Sequence, residues 1–390
     1  MNKNYQISLL FNANKAYDRQ VMEGIGEYLQ ASQSRWNIFI QEDFTTDIEQ
    51  FHNWRGDGVI ADFDNPSIVQ LLSQATIPVV GIGGSYAKQE DYPPVPYVAT
   101  DNVKLIEMAF EHLKHKGLEK FAFYGIPDDS WERWAIERES AFVNLMEREG
   151  YDYSVFRGSA TNSKTWQFDM NRLSDWLQQL PTPIGIIAVT DARARHLLQM
   201  CEDLNLMVPD KVAVIGIDNE EVTRYLTRVS LSSVGQGTKS MGYSAAKLLD
   251  KMLNGTRWSP AQLPRILIPP TQVYARQSSD YEGVDDPYVV HAMHFIRQNA
   301  CKGIKVEQVL DHVGVSRTNL EARFKLQRGH SIHQEIHQAK LERASYLLEN
   351  SELPISDIAD VCGYPSIQYL YSVFKKAYNK TPKEYRVGGD

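Results

Sequence analysis

Val306-Glu-Gln-Val309-Leu-Asp-His-Val313-Gly314-Val-Ser316-Arg-Thr-Asn-Leu320-Glu-Ala-Arg-Phe324 and Ile355-Ser-Asp-Ile358-Ala-Asp-Val-Cys362-Gly363-Tyr-Pro-Ser366-Ile-Gln-Tyr-Leu370-Tyr-Ser-Val-Phe374 are one pattern written twice. Val306, Val309, Val313 and Gly314 return 49 residues later, whereas Ser316, Leu320 and Phe324 return 50 residues later. The apolar spacing is helical, and the Gly stands where one helix stops and the next begins. A short helix, a tight Gly turn and a second amphipathic helix make the helix-turn-helix plan. The change of offset falls in the turn, where an inserted residue is tolerated. Two units, 306–325 and 355–376, inside an all-α segment 286–390 predict a module that reads DNA twice. Between them Ile336, Ala339, Leu341, Ala344, Leu347 and Leu348 form a helical stripe from Ile332 to Asn350. Roughly 18 residues at ~1.5 Å each span about 27 Å, close to the ~34 Å between successive major-groove faces of B-DNA.

Charge supports the division. The chain of 390 residues carries −8 overall, but from residue 286 onward Lys and Arg number 14 against 12 acids. The first 285 residues therefore hold 27 basic against 37 acidic side chains, an excess that would repel a polyanion and suits a neutral or cationic ligand. A length of 390 residues exceeds one ordinary core and suits two or three domains. Cys201, Cys301 and Cys362 are scattered, odd in number and without metal-ligand spacing, which points to a reducing cytoplasm. No apolar run approaches a membrane span, and Met1 to Phe11 is too short and wrongly flanked for a secretory signal.

Before residue 280, apolar strands alternate with amphipathic helices. Ile7-Ser-Leu-Leu-Phe11, Asn37-Ile-Phe-Ile40, Asp57-Gly-Val-Ile-Ala61, Ile77-Pro-Val-Val-Gly-Ile82, Lys120-Phe-Ala-Phe-Tyr124, Gly185-Ile-Ile-Ala-Val189 and Lys211-Val-Ala-Val-Ile-Gly-Ile217 read as strands. Arg19 to Ser32, Asn102 to Lys116 and Ala135 to Glu149 read as helices. Buried-type strands alternating with helices predict doubly wound parallel sheets, with a ligand outside the carboxyl ends of the strands.

Two family resemblances follow from particular residues. The run from Gly363 through Thr381-Pro382-Lys-Glu-Tyr385-Arg386 resembles the signature of AraC-type transcription activators, over about residues 285 to 387. That resemblance implies two recognition helices in the major groove and contact with RNA polymerase. Tyr97-Val-Ala-Thr-Asp101-Asn102, Ile186-Ile-Ala-Val-Thr190-Asp191, Val214-Ile-Gly-Ile-Asp218-Asn219 and Leu231-Ser-Ser-Val234 are similar to the core of LacI-type repressors and periplasmic sugar-binding proteins. This implies a sensor over 1–277 with two lobes joined by crossings near 101–104, 234–238 and 264, then a linker 278–285. The N-terminal helix-turn-helix of the repressors has no counterpart here. The combination, with Phe11 to Gln20 and Trp134 to Arg138, resembles the xylose-operon activators. It implies D-xylose as inducer (the alternative is another pentose or a polyol) and a homodimer on direct-repeat operator sites in double-stranded DNA.

A pentose shows hydroxyls at its rim and C–H faces, so carboxylates, Arg and aromatic rings suit it. Asp218, at a strand end, matches the residue that takes ligand hydroxyls in the resembled fold, and Arg138 matches the Arg of its Arg-x-x-Gly-Phe pattern, with Ala141 replacing the Gly. Asp191, Thr190, Trp134 and Tyr17 complete the candidate ligand site; Asp or Thr at a strand end can equally cap a helix. Asp101 could be a hinge residue, and Asp62-Phe-Asp64 a loop whose position after a strand keeps it in play for the ligand. For DNA, the exposed face of the first unit offers Arg317, Thr318, Asn319, Glu321 and Arg323. The second offers Gln368, Tyr369 and Ser372, with Lys375 and Lys376 nearer the phosphates.

Enzyme chemistry finds no support. No Gly-x-Gly-x-x-Gly follows the first strand, and neither Gly-x-Ser-x-Gly nor His-Glu-x-x-His occurs. His112, His115 and His196 are expected on solvated helix faces rather than around a metal. No cofactor is expected.

Overall fold

The computed structural model describes residues 4–40, 56–127 and 132–387, so the expected domain limits at 1 and 390 fall outside it. The chain forms two units, Met1–Tyr281 and Glu282–Asp390.

The first unit has the two-lobed α/β architecture expected. Its elements in order begin β1 (Tyr5–Leu10), α1 (Ala16–Ser32), β2 (Trp36–Ile40), β3 (Gly58–Asp62), α2 (Pro66–Leu72), β4 (Val79–Gly84) and β5 (Tyr97–Thr100). Next come α3 (Asn102–His115), β6 (Phe121–Gly125), α4 (Arg133–Glu149), β7 (Tyr153–Arg157), α5 (Trp166–Gln179), β8 (Ile184–Ala188) and α6 (Asp191–Asp203). Then follow β9 (Val212–Ile217), α7 (Glu221–Tyr225), β10 (Ser232–Val234), α8 (Thr238–Leu253), β11 (Arg265–Ile268) and β12 (Val273–Tyr274). One sheet runs β11-β5-β4-β3-β1-β2, all parallel. The other runs β12-β10-β9-β8-β6-β7, parallel except where β12 pairs with β10. The near-continuous apolar strands are explained by burial on both faces: every residue of β3, β4, β6, β8 and β9 is buried.

The chain passes between lobes after β5, after β10 and between β11 and β12. The third passage therefore lies within residues 269–272, not near 264, because β11 still belongs to the first sheet beside β5. The expected linker also differs. Ser278 and Ser279 are fully buried in the second lobe, where Ser278 Oγ donates to Val214 O (2.6 Å).

Lobe 1 is completed by α8, which returns to pack on α1. The two helices meet backbone to backbone. A Cβ on Gly24 would stand 1.9 Å from Lys239 O, and one on Gly242 1.9 Å from Val21 O.

The second unit is all α: α9 (Pro287–Asn299), α10 (Val306–Val313), α11 (Arg317–Arg328), α12 (Ile332–Asn350), α13 (Ile355–Val361), α14 (Ile367–Tyr378) and α15 (Pro382–Val387). The doubled pattern becomes two helix pairs, α10/α11 and α13/α14. Gly314 (φ +75°) and Gly363 (φ +66°) occupy the left-handed turns that only Gly adopts without strain. Ser316 and Ser366 cap the second helices, accepting from Asn319 N (3.4 Å) and Tyr369 N (3.2 Å). Leu320 and Phe324 lie fully buried in one core with α9; Leu370 and Phe374 lie in a second, with Cys362 and the half-buried Tyr385.

We expect Gly242→Ala to destabilise the sensor by about 1–3 kcal/mol, the usual penalty of overpacking. Gly26→Ala, two residues beyond Gly24 on the opposite side of α1, where a Cβ meets nothing within 4 Å, should be neutral or stabilising by up to about 1 kcal/mol. Urea unfolding of the two variants side by side checks both signs.

Candidate ligand cleft and nucleic-acid interface

The cleft is built from strand ends and the first turns of α4. Arg138 of α4 is 2% exposed. Its Nε donates to Asn102 Oδ1 (2.9 Å) and its Nη1 to Val189 O (2.7 Å), while the guanidinium lies 4.8 Å from the Trp134 ring centre. Burial pulls its pKa down, opposed by Asp218 first, then Tyr17, Glu137 and Asp64. Arg138 thus senses acids from both lobes.

Asp218 follows β9 with φ +119°, a conformation an Asp holds only under constraint. Gln236 Nε2 donates to its Oδ1. Burial raises its pKa to about 6, against the pull of Arg138. Tyr17, of α1, sets its hydroxyl against Thr100 Oγ1 (3.3 Å), and burial raises its pKa well above the ordinary value. Trp134 is half-buried against the second-lobe core.

Thr190 and Asp191 are engaged by protein groups. Thr190 caps α6, accepting from Arg193 N (3.3 Å). Asp191 is fully buried, with Oδ1 accepting from Ser233 Oγ (2.6 Å) and Oδ2 from Glu220 N (2.8 Å). Both oxygens tie the β9 and β10 ends together, behind Asp218. Asp101 likewise caps α3, accepting from Lys104 N (3.0 Å).

Arg133, Glu137, Asp18 and Gln236 escaped the sequence reading, whereas Asp62 and Asp64 were in play only as a loop. Asp64 accepts from Arg133 Nη2 (2.5 Å) and Gly84 N (2.8 Å), a pair that ties α4 of one lobe to the first lobe's strand ends. Glu137 accepts from Ser85 Oγ and from Asn102 Nδ2 (2.6 Å). Arg133, Trp134, Glu137 and Arg138 sit at i, i+4 spacing, so one face of a helix could have been suspected. Asp18 is buried with Oδ2 accepting from Asn12 N (2.6 Å), and its Oδ1 has no partner. Gln236 Oε1 is a second buried acceptor without one. Burial raises Asp18 to about 6 and, with help from Asp18 and Asp64, Asp62 to about 8. Lys15 stands 4.0 Å from Asp62.

The histidines depart from expectation too. His196 is 3% exposed, edge-on to Trp166 at 5.0 Å, and burial pushes its pKa down to about 4. His112 is half-buried against Ser279 Oγ (2.7 Å), and His115 is exposed. Among the described residues no cluster of three or more His, Cys, Asp or Glu could hold a metal. No helix described is long and apolar enough to cross a membrane.

In the second unit, Gln368, Tyr369, Ser372, Lys375 and Lys376 share the exposed side of α14. On α11, Arg317, Thr318 and Asn319 are exposed, with Arg317 Nη1 donating to Glu307 Oε1 (3.2 Å). Glu321 and Arg323 are half-buried and engaged by protein. Glu321 Oε2 accepts from Ile332 N (3.4 Å), whereas Arg323 donates to Asp286 Oδ2 (2.7 Å) and Asn319 Oδ1 (2.6 Å). Leu326, 84% exposed, was not anticipated on that helix.

The raised carboxyls set a pH dependence. A carboxyl whose pKa is higher folded than unfolded binds its proton more tightly in the folded state, so stability falls as pH rises through that window. For Asp18 and Asp218 the window runs from the ordinary 3.8 to about 6, and for Asp62 to about 8. The sensor transition in thermal unfolding of the full chain should lie higher at pH 5.5 than at pH 8. A higher midpoint at pH 8 would mean these acids are ion-paired in solution.

Comparison with known proteins agrees with this architecture. Residues 6–103 match the XylR N-terminal domain, 110–279 the periplasmic binding protein-like domain, and 309–387 a helix-turn-helix domain. The chain is 60% identical to the Xylose operon regulatory protein of Escherichia coli (strain K12), over 98% of this chain and 97% of that one. It is 52% identical to that of Haemophilus influenzae, over 98% of each. The solved "structure of xylose-binding transcription activator xylR" superposes with a TM-score of 0.90 at 58% identity, covering 99% of both chains. The AraC-type assignment is corrected by these matches. It rested on C-terminal residues alone, and likeness to the Multiple antibiotic resistance protein MarA of Salmonella typhimurium is 30% over 103 residues, 26% of this chain. The two α/β lobes make up most of the chain, and end-to-end identity decides the family: this chain belongs to the xylose operon regulatory proteins, with a periplasmic-binding-protein-like sensor.

Proposed function

We propose that this chain is a D-xylose-responsive, DNA-binding transcription activator and not an enzyme. The observation that carries this reading is end-to-end identity of 60% with a Xylose operon regulatory protein. The cleft chemistry agrees with it. A neutral polyol brings hydroxyl donors to acceptors that have none, Asp18 Oδ1 and Gln236 Oε1. It can lay a C–H face on Trp134 or Tyr17, whereas an anion would meet Asp18, Asp62, Asp64 and Asp218. Asp218 and Arg138 take sugar hydroxyls in this proposal, and Asp191 and Thr190 hold the strand ends that present them. Sugar acts by binding one lobe arrangement more tightly than another. A cytoplasmic homodimer on direct repeats, touching RNA polymerase, completes the reading.

The deciding measurement is thermal unfolding of the full chain with D-xylose, L-arabinose and D-ribose. A ligand at 100 times its Kd adds about 2.7 kcal/mol. A shift with D-xylose, lost in Asp218→Ala while DNA affinity without sugar stays unchanged, is expected. A shift only with another sugar moves the protein to a different inducer. Loss of both functions in a folded Asp218→Ala chain refutes the division of labour between the two units.

On DNA, Gln368, Tyr369 and Ser372 face base edges, Lys375 and Lys376 face phosphates, and Arg317, Thr318 and Asn319 read for the first unit. Gln368→Ala should cost about 1–3 kcal/mol on operator DNA and little on random DNA. Equal losses on both, measured by fluorescence anisotropy, would assign Gln368 to phosphate contact or packing.

A further inference from the structure

Two of the three cysteines meet where the two cores of the helical unit adjoin. Cys301 lies in a single 3-10 turn, Ala300–Lys302, that follows α9. Its neighbour Ala300 is buried in the first core, while Cys301 itself packs on the second, which holds Cys362. Cys362 closes α13, donating its N–H to Ile358 O (3.0 Å), and is fully buried. The backbones touch as well: a Cβ on Gly363 would stand 2.4 Å from Cys301 O.

The two sulfurs are unequal. A hydrogen bond from the Cys362 thiol, helped by Arg343 and Lys340 of α12, brings Cys301 down to about 7 against the cost of burial. The same bond, with burial, pushes Cys362 far above the ordinary thiol range. Near neutral pH about half of Cys301 is therefore thiolate, where an ordinary thiol offers only a few per cent. Cys301 is half-buried, so a small oxidant can reach it. Cys201 is the contrast, 1% exposed and pushed up to about 12 by burial. Thiolate character, access and a resolving sulfur in contact are what an oxidisable pair needs.

We propose that Cys301 and Cys362 form a hydroperoxide-oxidisable dithiol whose disulfide displaces the turn ahead of α14 and loosens the chain from its operator. The Cys301 sulfur attacks the hydroperoxide. An S–O bond forms, the O–O bond breaks, and two electrons pass from sulfur to the leaving oxygen, which takes up a proton. Cys362 then attacks the sulfenic sulfur; the S–S bond forms, the S–O bond breaks, and hydroxide departs as water with the Cys362 proton. Two thiols and one hydroperoxide thus give one disulfide, one alcohol (water, from hydrogen peroxide itself) and one water. A disulfide draws two sulfurs closer than a hydrogen bond leaves them, yet the backbones of Gly363 and Cys301 already touch. The adjustment falls on the turn at Gly363 (φ +66°), whose carbonyl accepts from Lys340 Nζ (2.9 Å). That turn sets the start of α14 at Ile367, the helix of Gln368, Tyr369 and Ser372. The consequence for DNA rests on reading α14 as a recognition helix; the oxidation does not.

Peptide mapping of the full chain tests the oxidation. The reduced chain is treated with hydrogen peroxide, its remaining thiols are alkylated, and the digest is read without reductant. One Cys301–Cys362 disulfide within a chain is expected, with Cys201 alkylated and the bond reversed by dithiothreitol. In Cys362→Ala, Cys301 should stop at the sulfenic acid and be trapped by dimedone; in Cys301→Ser, Cys362 should stay a free thiol. Alkylation of both cysteines after peroxide, over-oxidation of Cys301 beside a free Cys362, or a disulfide to Cys201 or to a second chain overturns the proposal. Operator affinity is then measured on the same samples by fluorescence anisotropy. Oxidation should lower it about tenfold or more, the loss of one good base contact, and Cys301→Ser should not respond. An oxidised chain that binds as tightly as the reduced one overturns the displacement of α14. A reduced parent chain that ignores the operator refutes the DNA reading instead, and the peptide map still decides the dithiol.

Discussion

Burying a guanidinium costs several kcal/mol unless hydrogen bonds and opposite charge surround it, and the groups that surround Arg138 come from nearly every part of the sensor. Asn102 arrives from the first passage between lobes, Val189 O from the end of β8, and Trp134 from the same helix. Asp218 faces it from beyond β9, and Tyr17 and Asp64 act on it from the first lobe. The strand ends must converge for this buried cation to be hydrogen-bonded and paired.

The buried acids follow the same constraint. Lys15, Arg19, Arg133 and Arg138 act on Asp18, Asp62, Asp64 and Asp218, yet burial keeps the carboxyl pKa values high. A site so arranged gains little from an ionic ligand. It gains most from hydroxyls that can donate to one carboxyl and accept from its neighbour, which is how polarity and neutrality are selected together.

Alternating apolar strands and helices made the parallel sheets legible, and the recurrence of Ser316 as Ser366 made the second helix-turn-helix unit legible, because both patterns are local. Contacts between distant residues were not legible. Nothing local to Arg323 tells that Asp286, 37 residues away, holds it. Thr190 and Asp191 stand at a strand end, where caps and ligands draw on the same residue types. The helical pattern around His196 gives no sign of Trp166, on the neighbouring helix, which covers it. The AraC-type reading failed for a related reason: a specific signature confined to a quarter of a chain says nothing about what the remaining sequence belongs to.

The first lobe is not contiguous: its sheet needs β11 beside β5, and its helix α1 needs the backbone of α8. A ribosome finishes residue 100 some 168 residues before it reaches 268, roughly 8–34 s at ~5–20 residues per second. Throughout that interval the β5 edge and the apolar face of α1 lack their partners, while the intervening second lobe is still being made. The nascent chain thus carries an open sheet edge for tens of seconds, the kind of exposure that chaperones exist to cover. The tight glycine contact between α1 and α8 likewise has to wait for Gly242, long after Gly24 has been made.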